Sequence, residues 1–189
     1  MNIYDFDGTL YGGDSTADFL IYSIKKHPSL VRFLPGVAVA FSKYALGRME
    51  KTKAKERLYR IFTGYDAPAL LEEFWDCHQH KVFSWYPGGQ QEETDIVISA
   101  SPEFLLKPIC QRLGIQYLIA SRVDSRTGAY TGENCWGPEK VIRLKDELGY
   151  THCDNFYSDS HSDQPLADIA DRAFLVGKGG VISPWEPKK

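Results

Sequence analysis

The chain has 189 residues, 43% of them hydrophobic and 25% charged, with a formal net charge of −3. That balance is ordinary for a soluble globular protein and excludes a strongly basic nucleic-acid binder. The length is enough to bury a sizeable core, as one domain or as a domain with an insertion. Charge is unevenly spread. From Lys25 to Lys81 eleven Lys/Arg stand against six Asp/Glu, a local +5 that leaves −8 elsewhere. An acidic body with a basic insertion suits a metal-binding core beside a region that meets anionic ligands. Cys77, Cys110, Cys135 and Cys153 lie far apart with no Cys-x-x-Cys pair, which predicts reduced thiols and a cytoplasmic location.

The chain begins with a β-prone run, Asn2–Phe6, and two aspartates two residues apart, followed by Gly8-Thr9-Leu10. Residues i and i+2 of a strand point the same way, so Asp5 and Asp7 share a face where the strand ends. Gly8 lets the backbone turn sharply there. Paired carboxylates at a strand's C-terminal edge suit Mg²⁺, or a nucleophile beside a general acid/base. A solvated turn accounts equally for an isolated Asp-x-Asp-Gly. A functional pattern this early leaves no room for a cleaved leader.

Nearly ninety residues then pass before the next strand signal, more than one crossover helix needs. Their pattern predicts helices over Ser15–Lys26, Leu30–Leu46, Lys51–Phe62 and Ala67–Lys81, broken by His27-Pro28, Gly47, Gly64 and Pro87-Gly88-Gly89. This reads as a small helical cap, residues 14–87, inserted into a core made of residues 1–13 and 88–189. The most apolar window, Phe33 to Phe41, is too short to span a membrane and reads as a core helix. The alternative places Leu30–Leu46 at a membrane interface. Phe62, Tyr65, Phe74, Trp75, Phe83, Trp85 and Tyr86 read as cap core. Cys77-His78-Gln79-His80 looks metal-like, but adjacent residues of a helix face different ways, which favours packing or surface roles.

The remaining β-rich runs are Asp95–Ser99, Gln116–Ala120, Asn155–Ser158 and Arg172–Val176. Helices over Glu103–Leu113 and Gly137–Leu148 separate them, and the string from Arg122 to Cys135 reads as a β-hairpin. Strands alternating with helices give an α/β architecture with a largely parallel sheet. Ser99 ends the second strand and can offer its hydroxyl and nearby N–H groups to a phosphate, while Ser101 caps the following helix. Lys140 lies early in its helix and can neutralise a phosphoryl oxygen, with Arg143 and Lys145 next in line. Asp159 and Asp163 follow the fourth strand, where two acids can complete a Mg²⁺ site. His161 between them is a solvated loop residue or a contact to the site.

Taken in order, these pieces carry a resemblance. Asp5-Phe6-Asp7-Gly8-Thr9-Leu10 resembles the first motif of the haloacid dehalogenase superfamily, and Ser99 stands where the second falls. Lys140 within Gly-Pro-Glu-Lys-Val and Asp159/Asp163 within Tyr-Ser-Asp-Ser-His-Ser-Asp resemble the rest, with Ser158 where the usual Gly stands. The resemblance implies a Rossmann-like sheet in the order 5-4-1-2-3, with its site at the strands' C-terminal edge. It implies a Mg²⁺-dependent phosphomonoesterase in which Asp5 forms an aspartyl-phosphate and Asp7 is general acid and base. Mg²⁺ would be held by Asp5, the Asp7 carbonyl and Asp159. Asp163 would orient a metal-bound water or Lys140, while Ser99 and Lys140 bind the phosphoryl group. Asp7 and the Asp159/Asp163 pair argue against the metal-free dehalogenase branch.

The helical insertion resembles the phosphoserine phosphatase-like branch, in which an acidic substrate contact falls at Asp14. That branch holds the substrate carboxylate with a cap arginine. Here Lys53, Lys55 and Glu56 stand near that place, and Arg57 only after a slip, so Lys55 is the cap candidate. Tyr-Ser-Asp-Ser…Asp-Gln-Pro-Leu is also similar to bacterial phosphatases acting on phosphatidylglycerophosphate. The expected substrate is a small phosphorylated metabolite, and the alternative a lipid phosphate met at the membrane surface. A phosphate sensor without turnover would have lost Asp5, Asp7 or Lys140, and all three are present.

Overall fold

The computed structural model of the protein describes residues 1–63 and 67–186. Its six-stranded sheet comprises β1 (Asn2–Tyr4), β2 (Ile96–Pro102), β3 (Tyr117–Ser121), β4 (Cys153–Ser158), β5 (Ala170–Val176) and β6 (Ile182–Pro184). The spatial order is β3-β2-β1-β4-β5-β6. The first five strands are parallel, and read from the other edge they follow the expected 5-4-1-2-3. The unforeseen addition is β6, which pairs antiparallel with β5 at one edge.

β1 sits mid-sheet and is fully buried, as a strand covered on both faces must be. Register places Tyr4 beside Tyr157 and Tyr157 beside Phe174. Their rings stack in turn at 4.8 Å between centroids, an aromatic ladder across three strands. Such pairs contribute roughly 0.5–1.5 kcal/mol each beyond their burial.

Between β1 and β2 the described chain is helical: α1 (Ser15–Lys26), α2 (Leu34–Ala45), α3 (Lys51–Tyr59) and α4 (Ala67–His78), with 3₁₀ turns between them. Gly64 and Tyr65 lie outside the described residues. One apolar cluster joins these helices to the sheet, with Phe19, Phe62, Phe74 and Trp75 packed together with Tyr4, Phe6, Val97 and Leu105. Tyr86 is buried in it and Trp85 packs against it. His78 stacks on Phe74, while Cys77, Gln79 and His80 are exposed, so the string serves packing and surface.

The apolar window is not a core helix. α2 buries only Ala40, while Phe33, Val39 and Phe41 are exposed. The helix packs against α3 and the turn before it, and among the described residues no second layer covers its outer side.

After β2, α5 (Glu103–Arg112) and α6 (Pro138–Leu148) take their expected places, and a short α7 (Gln164–Ala167) precedes β5. The expected hairpin from Arg122 to Cys135 shrinks to one antiparallel bridge, Val123 to Tyr130. Side-chain bonds compete with the ladder there. Asp124 Oδ1 accepts from Arg126 N and Thr127 N, and Tyr130 N is drawn to Glu56 Oε1 at 3.2 Å.

Candidate active site

Three strand ends converge on one cavity that residues of α1, α2 and α3 also line. β1 delivers Asp5, whose N–H still donates to the Tyr157 carbonyl of β4 at 2.9 Å. The chain then leaves the sheet in a tight loop. The N–H groups of Thr9, Leu10 and Tyr11 all turn back to the Phe6 carbonyl, and Gly8 adopts φ +74°. Asp7 therefore sits in a loop and not on a strand, yet both carboxylates line one cavity of about 470 Å³. Ser15 N, at the start of α1, donates to Asp7 Oδ1 at 2.7 Å, and Ser101 Oγ donates to Oδ2.

β2 delivers Ser99 and Ser101, which both line the cavity. The helix that follows has no side-chain cap, and its N-cap position is Pro102. The capping role expected of Ser101 is thus absent, because its hydroxyl is committed to Asp7. Ser99 is buried, and its Oγ accepts from Ser101 N at 3.2 Å.

α6 delivers Lys140, 2% exposed, whose ammonium lies 2.8 Å from Asp5 Oδ1 and 2.7 Å from Asp163 Oδ2. Arg143 instead bonds Glu147 and the Ala120 carbonyl, and Lys145 is exposed. Burial by itself would lower the Lys140 pKa, but the two carboxylates hold it well above the ordinary lysine value. Asp163 Oδ2 also accepts from Ser158 Oγ at 2.9 Å, so the Ser158 departure supplies a donor.

The carboxyl groups are short of positive charge. Burial pushes Asp5 up to about 7 against the pull of Lys140, and burial with the nearby Asp14 pushes Asp7 up to about 6. Asp159 is also raised, first by burial and then by Asp163. Its carboxylate leans over Gly8, where a Cβ would strike Oδ2, and its N–H donates to Thr9 Oγ1 at 2.9 Å. The inner oxygen of Asp163, Oδ1, is buried with no hydrogen-bond partner among the described residues. Carboxylates in excess of one ammonium, with an orphaned acceptor among them, are the donor chemistry of a hard divalent cation. By that chemistry Asp5, Asp7 and Asp163 suit Mg²⁺, while Asp159 lines a second cavity with Gly8, Gly12 and Gly13.

Asp14 caps α1 by accepting from Ala17 N at 2.9 Å and also lines the cavity. Lys55 lines it too. Its Nζ donates to the Ala100 carbonyl at 2.8 Å and lies 3.4 Å from Asn134 Oδ1. Burial, reinforced by Lys51, lowers its pKa to about 8. Lys53 pairs outside with Glu56 at 3.1 Å, and Arg57 is exposed and away from the cavity. His161 also stays outside, its ring 5.0 Å from that of Trp185.

Sequence reasoning passed over Thr16, Lys51 and Trp136, which line the cavity. Lys51 Nζ lies 4.7 Å from the centre of the Trp136 ring, joining α3 to the loop before α6. Neither residue belongs to a motif. Ser160 and Ser162 line it as well, and one wall is apolar: Leu20, Val37, Phe41 and Leu58.

Comparison with known proteins agrees with this geometry. The chain is 28% identical over its full length to a histidinol-phosphatase of Neisseria meningitidis, spanning 95% of that protein. It is 27% identical to protein CicA of Caulobacter vibrioides, over 93% of this chain and 86% of that one. Among solved structures, a protein of unknown function from Bordetella pertussis superposes with a TM-score of 0.71 at 24% identity, covering 92% of this chain and 87% of that one. A phosphoserine phosphohydrolase-like protein from Francisella tularensis superposes with a TM-score of 0.57 at 16% identity, covering 91% and 84%. These two likenesses establish the shared fold. The sequence pattern of the haloacid dehalogenase-like hydrolases matches residues 3–168, and the chain belongs to that family as an enzyme of the phosphatase type.

Proposed function

We propose that the protein hydrolyses phosphomonoesters in two displacements through an aspartyl-phosphate on Asp5. One observation carries the reading: Lys140 Nζ bridges Asp5 and Asp163 on a cavity that Asp7 and Ser99 also line. In the first displacement an Asp5 carboxylate oxygen attacks phosphorus, and the bond from phosphorus to the ester oxygen breaks. Asp7, oriented by Ser15 N and Ser101 Oγ, gives its proton to the departing alkoxide. In the second, Asp7 takes a proton from water as that water attacks phosphorus, releasing inorganic phosphate and restoring Asp5. Using one group as acid and then as base is the economy of this arrangement. Lys140 and the Ser99 hydroxyl bind the equatorial oxygens, where the charge of the transferring group is spread.

Asp5, the Asp7 carbonyl and Asp159 would hold Mg²⁺, with Asp163 Oδ1 as the natural acceptor for a bound water. When bound, the ion offsets the negative charge that gathers where phosphate and carboxylates meet. Residues 14–87 act as a cap over a core of residues 1–13 and 88–189. The substrate is a small phosphorylated metabolite, a reading supported by the histidinol-phosphatase relative. Asp14, Lys51 and Lys55 face its organic part. A lipid phosphate is a second reading, favoured by the apolar wall of Leu20, Val37, Phe41 and Leu58. Four free cysteines accord with the expected cytoplasmic location.

The test is phosphate release from para-nitrophenyl phosphate and a panel of metabolite and lipid phosphates, with Mg²⁺ or with chelator. Turnover that requires Mg²⁺ and disappears in Asp5→Asn supports the reading. A Mg²⁺-loaded protein that binds phosphate but turns over nothing sinks it and favours a sensor.

A further inference from the structure

A helix of a soluble domain ordinarily buries an apolar stripe and exposes charge. α2 turns Leu34, Val37 and Ala40 inward, yet its outward face is apolar too. Its sequence Leu-Pro-Gly-Val-Ala-Val-Ala-Phe-Ser-Lys-Tyr-Ala has one buried residue, Ala40. Pro35, Val39, Ser42 and Leu46 fall on one outward face by helical spacing. Val39 is 54% exposed and Leu46, at the helix end, 68%. Phe33, stacked under the Arg32 guanidinium, is 45% exposed just ahead of the helix. Contiguous exposed apolar surface of this kind marks an interaction site.

The charge around the patch selects the partner. Between Asp18 and Glu50 the sequence has no acidic residue but carries Lys25, Lys26, Arg32, Lys43 and Arg48. Among the described residues only Lys26 of these five has a carboxylate partner, Glu73. An apolar helix face rimmed by unpaired cations matches an anionic lipid surface. There, apolar side chains enter the headgroup boundary while each basic side chain near the surface favours binding by about fivefold. No helix among the described residues is long and apolar enough to cross a membrane, so the contact is peripheral.

We infer that the protein docks on anionic membranes through α2, with Phe33, Val39 and Leu46 inserted and Arg32, Lys43 and Arg48 over the headgroups. Val37 and Phe41 of the same helix line the cavity, so docking brings the cavity to the lipid surface. The inference stands apart from the chemistry of the site, since binding is measured without turnover.

The experiment is sedimentation of the full chain with phosphatidylcholine vesicles, with or without phosphatidylglycerol, at about 10 mM salt, where the Debye length is about 30 Å. The chain should pellet with the anionic vesicles and at least about tenfold more weakly with the neutral ones. Lys43→Glu with Arg48→Glu should weaken anionic binding by about 25-fold or more. Val39→Asp with Leu46→Asp should abolish it while leaving para-nitrophenyl phosphate turnover at the wild-type rate. These positions are exposed, so the variants fold, and a matching circular dichroism melt verifies it. Wild-type protein that stays in solution with anionic vesicles overturns the inference. So does a Val39/Leu46 variant that still pellets, or a face that analytical ultracentrifugation finds closed in a dimer of this chain.

Discussion

Ser101 Oγ donates to Asp7 Oδ2 across 94 residues of sequence, while Ser15 N holds the other oxygen of the same carboxylate. Asp7 is thus fixed in direction by β2 and by the start of α1 together. A hydrogen bond to a charged group contributes roughly 1.5–3 kcal/mol, so Ser101→Ala should lower kcat by about 10- to 100-fold. The loss should be larger for an alkyl phosphate than for para-nitrophenyl phosphate, because a nitrophenolate leaves without a proton. An equal loss on both substrates would show that Ser101 does not act through Asp7. Steady-state kinetics on the two esters measure the difference.

Lys140 is the buried cation on which Asp5 and Asp163 both depend. Breaking a buried pair by removing one partner costs roughly 3–5 kcal/mol, because the remaining charge is left uncompensated. Lys140→Met should therefore destabilise the fold by that order and abolish turnover. Lys140→Met with Asp163→Asn should regain part of the stability and none of the activity. Urea melts alongside phosphate release measure both. If the double variant melts like the single one, Asp163 is not the stranded charge.

β1 to β4 were readable because each is a short apolar run that meets a polar residue, and α6 because Pro138 and Gly149 punctuate it. The contact between Asp5 and Lys140 joins residues 135 apart, and order along the chain predicted it only through a family resemblance. Ser101 was within reach of plain geometry. It stands two residues from Ser99 at a strand end, the same spacing that paired Asp5 with Asp7. Lys51 and Trp136 were not, since a cation over a ring has no fixed spacing in sequence. The exposure of α2 was hidden for another reason: an apolar run has the same composition whether a second layer covers it or water does. β6 is three residues ending in proline, too short to carry a periodic signal.

Lys55 is held in a largely desolvated position, with its pKa lowered to about 8. The unfolded chain, with an ordinary lysine pKa near 10.4, binds more protons than the folded one between those values. Stability contributed by this group therefore rises with pH from about 8 and levels off above the unfolded value. At pH 7 the lysine is charged in both states and costs about 1–3 kcal/mol. Lys55→Met should raise the melting temperature at pH 7, and its advantage should vanish near pH 10.5. The Ala100 carbonyl keeps a donor in Ser121 Oγ at 3.0 Å. In the wild type, KM for an ester with a second anionic group should rise as pH passes about 8, and in Lys55→Met it should be high throughout. A flat wild-type KM across that range would remove Lys55 from substrate recognition.

Gly8 links the first motif to the last. At φ +74° a side chain is strained by itself, and here the added Cβ would also meet the Asp159 carboxylate. Gly47 separates the two effects, since it has φ +67° and a Cβ added there would meet nothing within 4 Å. Gly47→Ala should cost about 1 kcal/mol of stability from backbone conformation alone and leave turnover unchanged. Gly8→Ala should cost at least as much and also displace Asp159. The Mg²⁺ concentration for half-maximal activity should then rise by about tenfold or more, the scale seen when a metal's supporting residues are disturbed. A Mg²⁺ titration of phosphate release for both variants reads this directly. If Gly8→Ala lowers the maximal rate with no change in the Mg²⁺ midpoint, Asp159 is not a ligand, and the glycine serves only the turn that carries Asp7 away from the sheet.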